Sequence, residues 1–573
     1  MGASFLRWVR ALSPLLLASG MMAGTNDVFE ADVSIPMRDG VRLSANVFKP
    51  RGTGPWPVLL GRTPYGKGDE NGAGGRNNAA KGYVTVVQDC RGRGHSEGVW
   101  EPFRDDAADG FDTLEWIGRQ SWCNGRVATF GGSYGGWTQW ALAPGSSRYL
   151  RAMVPLVPFG NTYEDVAYSG GAMLLSLTMG WGESVAGVGF GPDEVRKSYL
   201  HLPLKTFTSQ FPKDVSYLRD WVLHPTYDAY WKARGIDHRD AEVTIPTLNI
   251  GGWYDIFSKE TLELTTGVRQ HSRSAFARTN QFVIMGPWGH GLGTRKLGEL
   301  DFGPEAALKL GQRQDDWYDY WLRDRDHGIR QWPPYYLFVM GENRWRGEQE
   351  WPLKRTRFTP YYLAGNGHAN SLHGDGTLSL DRPRRNATSQ DRFVYDGNHP
   401  VPTQGGNNLV GATAGPEDQT QVEQRDDVLI YTTPVLTADL EVTGPVHLIL
   451  WAASSARDTD FTGKLVDVHP DGKAYNLCEG IQRARYRQGL DRERLLVPGK
   501  PERFEIDLWV TSNVFLRGHR LRLEVSSSNF PRFDRNPNTG HPFGSDAVLL
   551  PATQTVLHDR AHPSYLLLPV IPH

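Results

Sequence analysis

Short apolar segments alternate with amphipathic stretches through the first half of the chain. The apolar segments all end at glycine-rich or turn-forming residues, and they are Val58–Leu60, Tyr83–Val87, Val127–Phe130, Met153–Val157, Thr247–Ile250 and Phe282–Met285. Stretches with helical periodicity, such as Asp105–Gln120, separate them. This alternation predicts an α/β domain with a mostly parallel sheet and helices on both faces. Ahead of these segments, Asp39-Gly40 lies between alternating apolar residues and predicts a β-hairpin.

The alternation is interrupted between Asn161 and Val243. Strand patterns are absent there, whereas Ala172–Leu177 and Tyr217–Tyr230 have helical character. We therefore predict a helical cap at residues 161–245, inserted over the C-terminal edge of the sheet. The α/β domain would then consist of residues 27–160 and 246–354.

The pattern changes again from about Thr356. Helical periodicity disappears, and alternating runs separated by turn-rich segments take its place: Leu429–Tyr431, Ala438–Val442, Val446–Leu450, Arg503–Leu508 and Leu521–Val525. These runs predict an all-β sandwich or jelly roll over residues 355–573. Residues 372–423 are polar and turn-rich, so we expect a long wrapping loop there.

The charge balance and the cysteine count limit which binding partners and which cross-links are expected. The 573 residues include 62 Lys and Arg against 64 Asp and Glu, a net charge of −2. This balance argues against nucleic acid or an anionic membrane as the main partner and is compatible with a small-molecule substrate. The three cysteines exclude a disulfide framework and leave open whether Cys90 and Cys123 pair. Homo-oligomerisation is also left open.

The N-terminus resembles a short signal peptide. Arg7 and Arg10 precede the uncharged stretch Ala11–Asn26. We assign residues 1–24 to this leader and expect a secreted or periplasmic protein; the alternative is a frayed N-terminus on a cytoplasmic one. The stretch is short for a transmembrane helix, so no membrane span is expected in the mature protein.

The strongest chemical signal is the sequence Gly131-Gly132-Ser133-Tyr134-Gly135-Gly136, which contains G-x-S-x-G. It follows an apolar strand and precedes a helix-compatible stretch, as a nucleophile elbow requires. The sharp turn exposes the Ser133 hydroxyl and leaves the Tyr134 amide free to face a developing oxyanion. The alternative is an ordinary glycine-rich turn with a capping serine.

Two residues downstream complete a triad in the Ser, acid, His order of α/β-hydrolases. Asp255 follows the strand Thr247–Ile250, and His290 follows the strand Phe282–Met285. Because carboxyl ends of parallel strands meet at one sheet edge, we expect both residues near Ser133. Tyr65 follows another strand, and its phenol is a candidate second oxyanion donor; alternatively it is only a pocket wall.

Sequence motifs for cofactor or metal binding are either incomplete or absent. The glycines Gly92 and Gly94 are followed by Glu97 where a dinucleotide fingerprint needs glycine. A calcium-loop start at Asp458 has His469 at its twelfth position instead of Glu. Neither H-E-x-x-H nor C-x-x-C occurs. We therefore predict no cofactor and no metal.

Seven motifs carry a family resemblance: Arg62–Tyr65, Gln88–Gly92, Trp122–Arg126, Gly132–Gly136, Gly252–Asp255, Gly286–His290 and Ser512–Arg520. Together they resemble the cocaine esterase and X-Pro dipeptidyl-peptidase group of serine hydrolases, from about residue 28 to the end. The resemblance implies an α/β-hydrolase fold with an inserted cap and a C-terminal jelly roll. It also implies the triad Ser133, Asp255 and His290, with Tyr65 and the Tyr134 amide as the oxyanion hole.

The resemblance also separates subfamilies. α-Amino acid ester hydrolases carry Glu and Asp two and three residues after the catalytic Asp, whereas this chain has Phe257 and Ser258. An aromatic residue there matches the cocaine esterase pattern and suggests an apolar or aromatic acyl group. We expect Trp253, Phe257 and Trp140 to line the acyl pocket.

Several functions remain open on the sequence. An X-Pro dipeptidyl-peptidase or a glutaryl-type β-lactam acylase would use the same scaffold. The peptidases typically carry an extra N-terminal helical domain, and the hydrolase pattern here begins near residue 30, which disfavours them. A carbohydrate-binding protein with an inert hydrolase core is the alternative of another class.

Overall fold

Two large β-sheets organise the chain. The computed structural model describes residues 27–145, 147–211, 215–384 and 389–572. The leader predicted at residues 1–24 lies outside the described residues. Across those ranges, none of the helices is long and apolar enough to cross a membrane. Cys90, Cys123 and Cys478 are all free, so the Cys90–Cys123 bridge does not form.

The first sheet contains β1 (Asp27–Pro36), β2 (Arg42–Pro50), β3 (Trp56–Thr63), β4 (Val84–Asp89), β5 (Cys123–Gly132), β6 (Leu150–Leu156), β7 (Thr247–Gly252), β8 (Gln281–Gly286), β9 (Tyr335–Val339) and β10 (Arg344–Glu348). Its order is β1-β2-β4-β3-β5-β6-β7-β8-β9-β10. Strands β3 to β9 run parallel, and β1, β2 and β10 pair antiparallel. The predicted hairpin joins β1 to β2, with Gly40 at φ +88°.

The helices are α1 (Ala73–Ala80), α2 (Asp106–Gly118), α3 (Tyr134–Leu142), α4 (Leu175–Ala186), α5 (Pro192–Leu200), α6 (Ser216–Leu223), α7 (Ala229–Lys232), α8 (Ser258–His271), α9 (Ala275–Thr279) and α10 (Leu310–Arg323). Consecutive strand residues face opposite sides of the sheet. Leu60 therefore packs in the core that includes Trp137 of α3, whereas Leu59 packs in the core that includes Trp317 of α10. The prediction of a mostly parallel sheet covered on both faces is confirmed.

The insertion between β6 and β7 is mainly helical and contains α4 to α7, but two predicted helices are wrong in detail. Ala172–Met173 forms a short antiparallel ladder with Tyr168–Ser169, and α4 begins only at Leu175. The intervening Gly170-Gly171 pair has positive φ values, which favour a tight hairpin. The helix predicted over Tyr217–Tyr230 is interrupted after α6, because the residue before Pro225 disfavours helical geometry.

A buried carboxyl in α4 should make the stability of the cap depend on pH. Glu183 is 3% exposed, and burial raises its pKa to about 7, a shift that the Ser198 hydroxyl only partly offsets. The stabilisation from its protonated form is complete below the unfolded pKa and is lost as the pH rises through 7. Glu183→Gln mimics the protonated form, so its melting temperature should exceed that of the parent increasingly from pH 5 to pH 8. The corresponding difference in the free energy of unfolding should reach at most about 3 kcal/mol.

Glu505→Gln, at an exposed glutamate, serves as the control for this measurement. Its melting temperature should track that of the parent at every pH. A constant difference between Glu183→Gln and the parent across this range would show that Glu183 does not titrate there.

The second sheet forms the C-terminal all-β domain. Its strands are β11 (Arg357–Ala364), β12 (Thr377–Ser379), β13 (Gln390–Tyr395), β14 (Leu429–Thr432), β15 (Leu440–Ser454), β16 (Asp460–Val468), β17 (Ala474–Arg483), β18 (Glu502–Phe515), β19 (Arg520–Ser526), β20 (Ala552–Leu557) and β21 (Tyr565–Ile571). They pair in the order β13-β20-β15-β21-β11-β12-β14-β19-β16-β17, and β18 pairs with β15. Alternating residues such as Leu448 and Leu450, or Leu523 and Val525, fill its core.

The predicted wrapping loop at residues 372–423 is only partly correct. Strands β12 and β13 interrupt it, and the loop proper runs from residue 396 to residue 428. Within it, residues 402–419, which we call the strap, lie against the α/β domain. Gly406 and Gly415 exchange two backbone hydrogen bonds of 2.7 and 2.9 Å, which close the middle of the strap.

Candidate active site

Ser133 lies at a sharp turn between β5 and α3. Its backbone has φ 58° and ψ −121°, a strained conformation for a non-glycine residue. A Cβ on Gly131 would lie 3.1 Å from the Gly135 carbonyl, and one on Gly136 would lie 2.8 Å from the Leu156 carbonyl. Close backbone approach therefore favours glycine at Gly131, the first glycine of the G-x-S-x-G pattern, whose φ is +136°, and at Gly136, just beyond the pattern. Ser133 itself is 8% exposed.

Asp255 and His290 are brought together by the loops after β7 and β8. His290 Nδ1 lies 2.6 Å from Asp255 Oδ2, and the Phe257 amide donates to Asp255 Oδ1 at 2.9 Å. A carboxylate accepts, so Nδ1 carries the proton and Nε2 is left as the acceptor. His290 Nε2 is buried without a hydrogen-bond partner among the described residues. The arrangement suits a base that takes a proton at Nε2.

The two loops are joined through their backbones. The Trp253 amide donates to the Gly286 carbonyl, and the Tyr254 amide donates to the Trp288 carbonyl, each at 2.9 Å. A Cβ on Gly252 would lie 2.2 Å from the Trp288 carbonyl oxygen. Only glycine permits this approach, so the residues that flank Asp255 and His290 are held at a fixed spacing.

Tyr65 lies just beyond β3, beside the turn that carries Ser133. Burial raises the pKa of its phenol to about 12, although hydrogen bonds from the Trp181 and Ser133 side chains lower it in part. The Trp181 indole donates to the Tyr65 hydroxyl at 3.0 Å. The phenol therefore keeps its proton at neutral pH and can donate it toward a negatively charged oxygen.

The Tyr134 side chain does not serve as an oxyanion donor, because its hydroxyl bonds to residues that anchor α3. Its hydroxyl donates to Asp106 Oδ2 at 2.8 Å and accepts from the Phe103 amide at 3.1 Å. The Trp137 indole donates to the same Asp106 oxygen at 3.1 Å. Arg62 on β3 donates to the Asp106 carbonyl at 2.6 Å. These buried contacts fix the N-terminus of α3, so any catalytic contribution of Tyr134 must come from its backbone amide.

Aromatic rings lie beside His290 and between α3 and the cap. Phe257 lies 4.5 Å from Phe159 and 5.8 Å from the His290 ring, measured between ring centroids. Trp181 on α4 stacks with Tyr134 at 6.3 Å and with Trp221 at 6.1 Å. The Phe257 ring therefore lies beside the His290 ring, and its place in an acyl pocket stays a prediction. Trp181 and Phe159 were missed, because nothing in the local sequence relates them to the G-x-S-x-G turn.

The structure does not bring Trp140 or Trp253 into this aromatic wall. The Trp140 indole donates to Asn249 Oδ1 at 3.0 Å within the core beside the sheet. The Trp253 indole donates to the Phe338 carbonyl at 2.7 Å, and its ring packs against Trp351. Both indoles are fully buried with their N–H groups used internally. We therefore withdraw both from the expected acyl pocket and assign them to packing.

Sequence comparison decides the family. The chain matches the X-Pro dipeptidyl-peptidase (S15 family) over residues 39–292 and the X-Pro dipeptidyl-peptidase C-terminal non-catalytic domain over residues 327–567. It is 38% identical to the cocaine esterase of Rhodococcus sp. (strain MB1 Bresler) over 582 residues, which cover 96% of this chain and 100% of that enzyme. The chain belongs to the cocaine esterase group of S15-family serine hydrolases. The resemblance inferred from the seven motifs is confirmed.

Solved structures extend this family assignment to the whole fold. An aminopeptidase from a marine sediment archaeon, Thaumarchaeota archaeon, superposes with a TM-score of 0.84 at 25% identity, covering 97% of this chain and 99% of that one. An α-amino acid ester hydrolase superposes with a TM-score of 0.81 at 25% identity, covering 96% and 98%. The fold of this chain, from the α/β-hydrolase domain to the C-terminal all-β domain, is therefore shared with these two solved structures.

Proposed function

We propose that this S15-family member hydrolyses small carboxylic esters through Ser133, His290 and Asp255. Ser133 Oγ attacks the ester carbonyl carbon while His290 Nε2 accepts its proton. The C–O bond then breaks, and the alcohol leaves with that proton. Water attacks the acyl-serine by the same route and releases the acid. The observation that carries the proposal is the 2.6 Å Asp255–His290 contact with His290 Nε2 left unpartnered.

The charge that develops on the carbonyl oxygen needs donors that are already in place. We assign this role to the Tyr65 phenol and the Tyr134 backbone amide at the start of α3. The contact with Trp181 supports the first assignment, because the Tyr65 hydroxyl accepts from the indole and its own proton is left to donate. The rigid anchoring of α3 by Asp106 supports the second.

The substrate class follows from the aromatic surroundings. Phe257 and Phe159 offer apolar surface beside His290, and Trp181 offers it beside Tyr65, which favours an apolar or aromatic acyl group. The 38% identity to an enzyme named cocaine esterase agrees with an ester substrate. We therefore place esters ahead of peptides and β-lactams. Relatives that are named esterases also favour an enzyme over a carbohydrate-binding protein with an inert core.

Hydrolysis of p-nitrophenyl esters with acetyl, butyryl and benzoyl groups tests this proposal, with matched p-nitroanilides run in parallel. We expect measurable kcat/KM on the esters and lower values on the anilides. Anilides turned over faster than the matched esters would instead support a peptidase or an acylase on the same scaffold.

Replacing Phe257 by alanine should change the ranking of acyl groups. The ring contacts both Phe159 and His290, so its removal takes apolar surface from the wall nearest the base. We expect kcat/KM for the benzoyl ester to fall about 10–100-fold, and that for the acetyl ester to fall less. The exposed Phe276, on α9, provides the control as Phe276→Ala. An unchanged benzoyl-to-acetyl ratio in Phe257→Ala would remove Phe257 from the pocket.

A further inference from the structure

The strap of the C-terminal domain reaches the loop that carries Asp255. Asn407 is 3% exposed, and its side-chain Nδ2 donates to the Trp253 carbonyl at 3.0 Å and to the Asp255 carbonyl at 2.8 Å. The same nitrogen lies 3.2 Å from Ser258 Oγ at the start of α8. One side-chain amide therefore bonds to the backbone carbonyl of the catalytic acid and to a carbonyl two residues before it. Asn407 lies within the region whose matching family domain is described as non-catalytic.

The strap also contacts the segment that follows His290. A Cβ on Gly415 would lie 2.5 Å from Leu297 Cγ, and the Glu299 amide donates to the Pro416 carbonyl at 2.9 Å. Asn407 and these contacts are tied together by the Gly406–Gly415 backbone pair. A single segment of the C-terminal domain therefore packs on the loops of both the acid and the base.

The contact of Asn407 has a specific physical consequence. The residues after β7 leave the sheet, so their carbonyl groups lose the strand neighbour that would otherwise supply an N–H. Asn407 supplies two protons to two of these carbonyls. Removing the amide leaves the buried Trp253 carbonyl without this donor, whereas the Asp255 carbonyl keeps the Ser258 amide as a donor at 3.1 Å. We expect the loop to shift so that the Trp253 carbonyl regains a hydrogen bond. A shift of the loop moves the Asp255 carboxylate relative to His290.

We propose that Asn407 is a positioning residue for the catalytic acid, so that the C-terminal domain takes part in setting the active-site geometry. This inference rests on the proposed function of Asp255 and His290. Asn407 does not touch the reacting atoms; it acts by holding the backbone of residues 253–255. Its loss should therefore affect kcat more than KM, because the substrate-binding surface is left in place.

The test compares Asn407→Ala with Asn408→Ala in the full-length chain. Asn408 is also 3% exposed and lies on the same strap, but among the described residues its amide donates only to the strap carbonyls of Gly405 and Thr413. Ester hydrolysis and the rate of inactivation by a fluorophosphonate are measured well below both melting temperatures. We expect Asn407→Ala to lose about 10–100-fold in kcat and in inactivation rate, with little change in KM. Asn408→Ala should keep both rates.

Asn407→Asp provides a second variant of the same size, which lacks the two donating protons and should also lose kcat. Equal rates in Asn407→Ala and Asn408→Ala would overturn the proposal, and so would failure of both Asn407 variants to fold while Asn408→Ala folds. Ser133→Ala separates this outcome from failure of the proposed function. If Ser133→Ala keeps hydrolysis, the triad itself is wrong; if it is inactive and Asn407→Ala is normal, only the positioning role is wrong.

Discussion

Replacing Ser133 by alanine is expected to lower kcat for ester hydrolysis by about 10⁶-fold, to the background of the preparation. The serine lies at a strained turn that glycines on both sides make sterically feasible, so the site is built around its hydroxyl. Alanine removes the only atom that can form the acyl-enzyme there, while the turn and α3 are retained. The melting temperature should therefore change little.

Thr138→Ala is the matched control for this variant. Thr138 is a buried hydroxyl one turn further along α3, where it donates to the Gly135 carbonyl at 3.1 Å. It should remain active. Residual hydrolysis in Ser133→Ala at more than about one-thousandth of the parent rate would place the nucleophile elsewhere.

The second large effect is expected for Tyr65→Phe. This variant keeps the ring and removes the hydroxyl that the structure places beside Ser133 and Trp181. Loss of one oxyanion donor should lower kcat by about 10²–10³-fold with a small change in KM, because the donor acts mainly in the transition state. Steady-state kinetics on a p-nitrophenyl ester measure both constants.

Tyr217→Phe controls for loss of a phenol from the same aromatic cluster. The Tyr217 hydroxyl donates to the Gly182 carbonyl at 3.2 Å inside the cap and does not contact the triad. Its kcat should stay close to that of the parent. If Tyr65→Phe raises only KM and leaves kcat unchanged, Tyr65 is a pocket wall, and the oxyanion must be held by other donors.

Local sequence patterns predict those parts of the fold that depend on local constraints. The strands of the first sheet are short apolar runs with clear ends, and the turn at Ser133 demands glycines at fixed offsets. Asp255 and His290 could be placed because parallel strands deliver their C-terminal residues to one edge. Each of these inferences uses a rule that acts over a few residues or over neighbouring strands.

Contacts between distant segments could not be predicted in this way. Trp181 reaches Tyr65 across 116 positions, and Asn407 reaches Asp255 across 152. The sequence around Trp181 and Asn407 contains no motif that would predict either contact. Trp253 lies two positions before the acid, but its ring is buried against the segment that leads into the C-terminal domain. Proximity in sequence to a catalytic residue does not fix the direction of a side chain.

The most direct test of the central claim is to locate the covalent adduct of a fluorophosphonate by mass spectrometry of the intact and digested protein. The proposed mechanism predicts one adduct per chain, on the peptide that contains Ser133, and none in Ser133→Ala. An adduct on a different residue, or an active ester hydrolase that forms no adduct at Ser133, would contradict it.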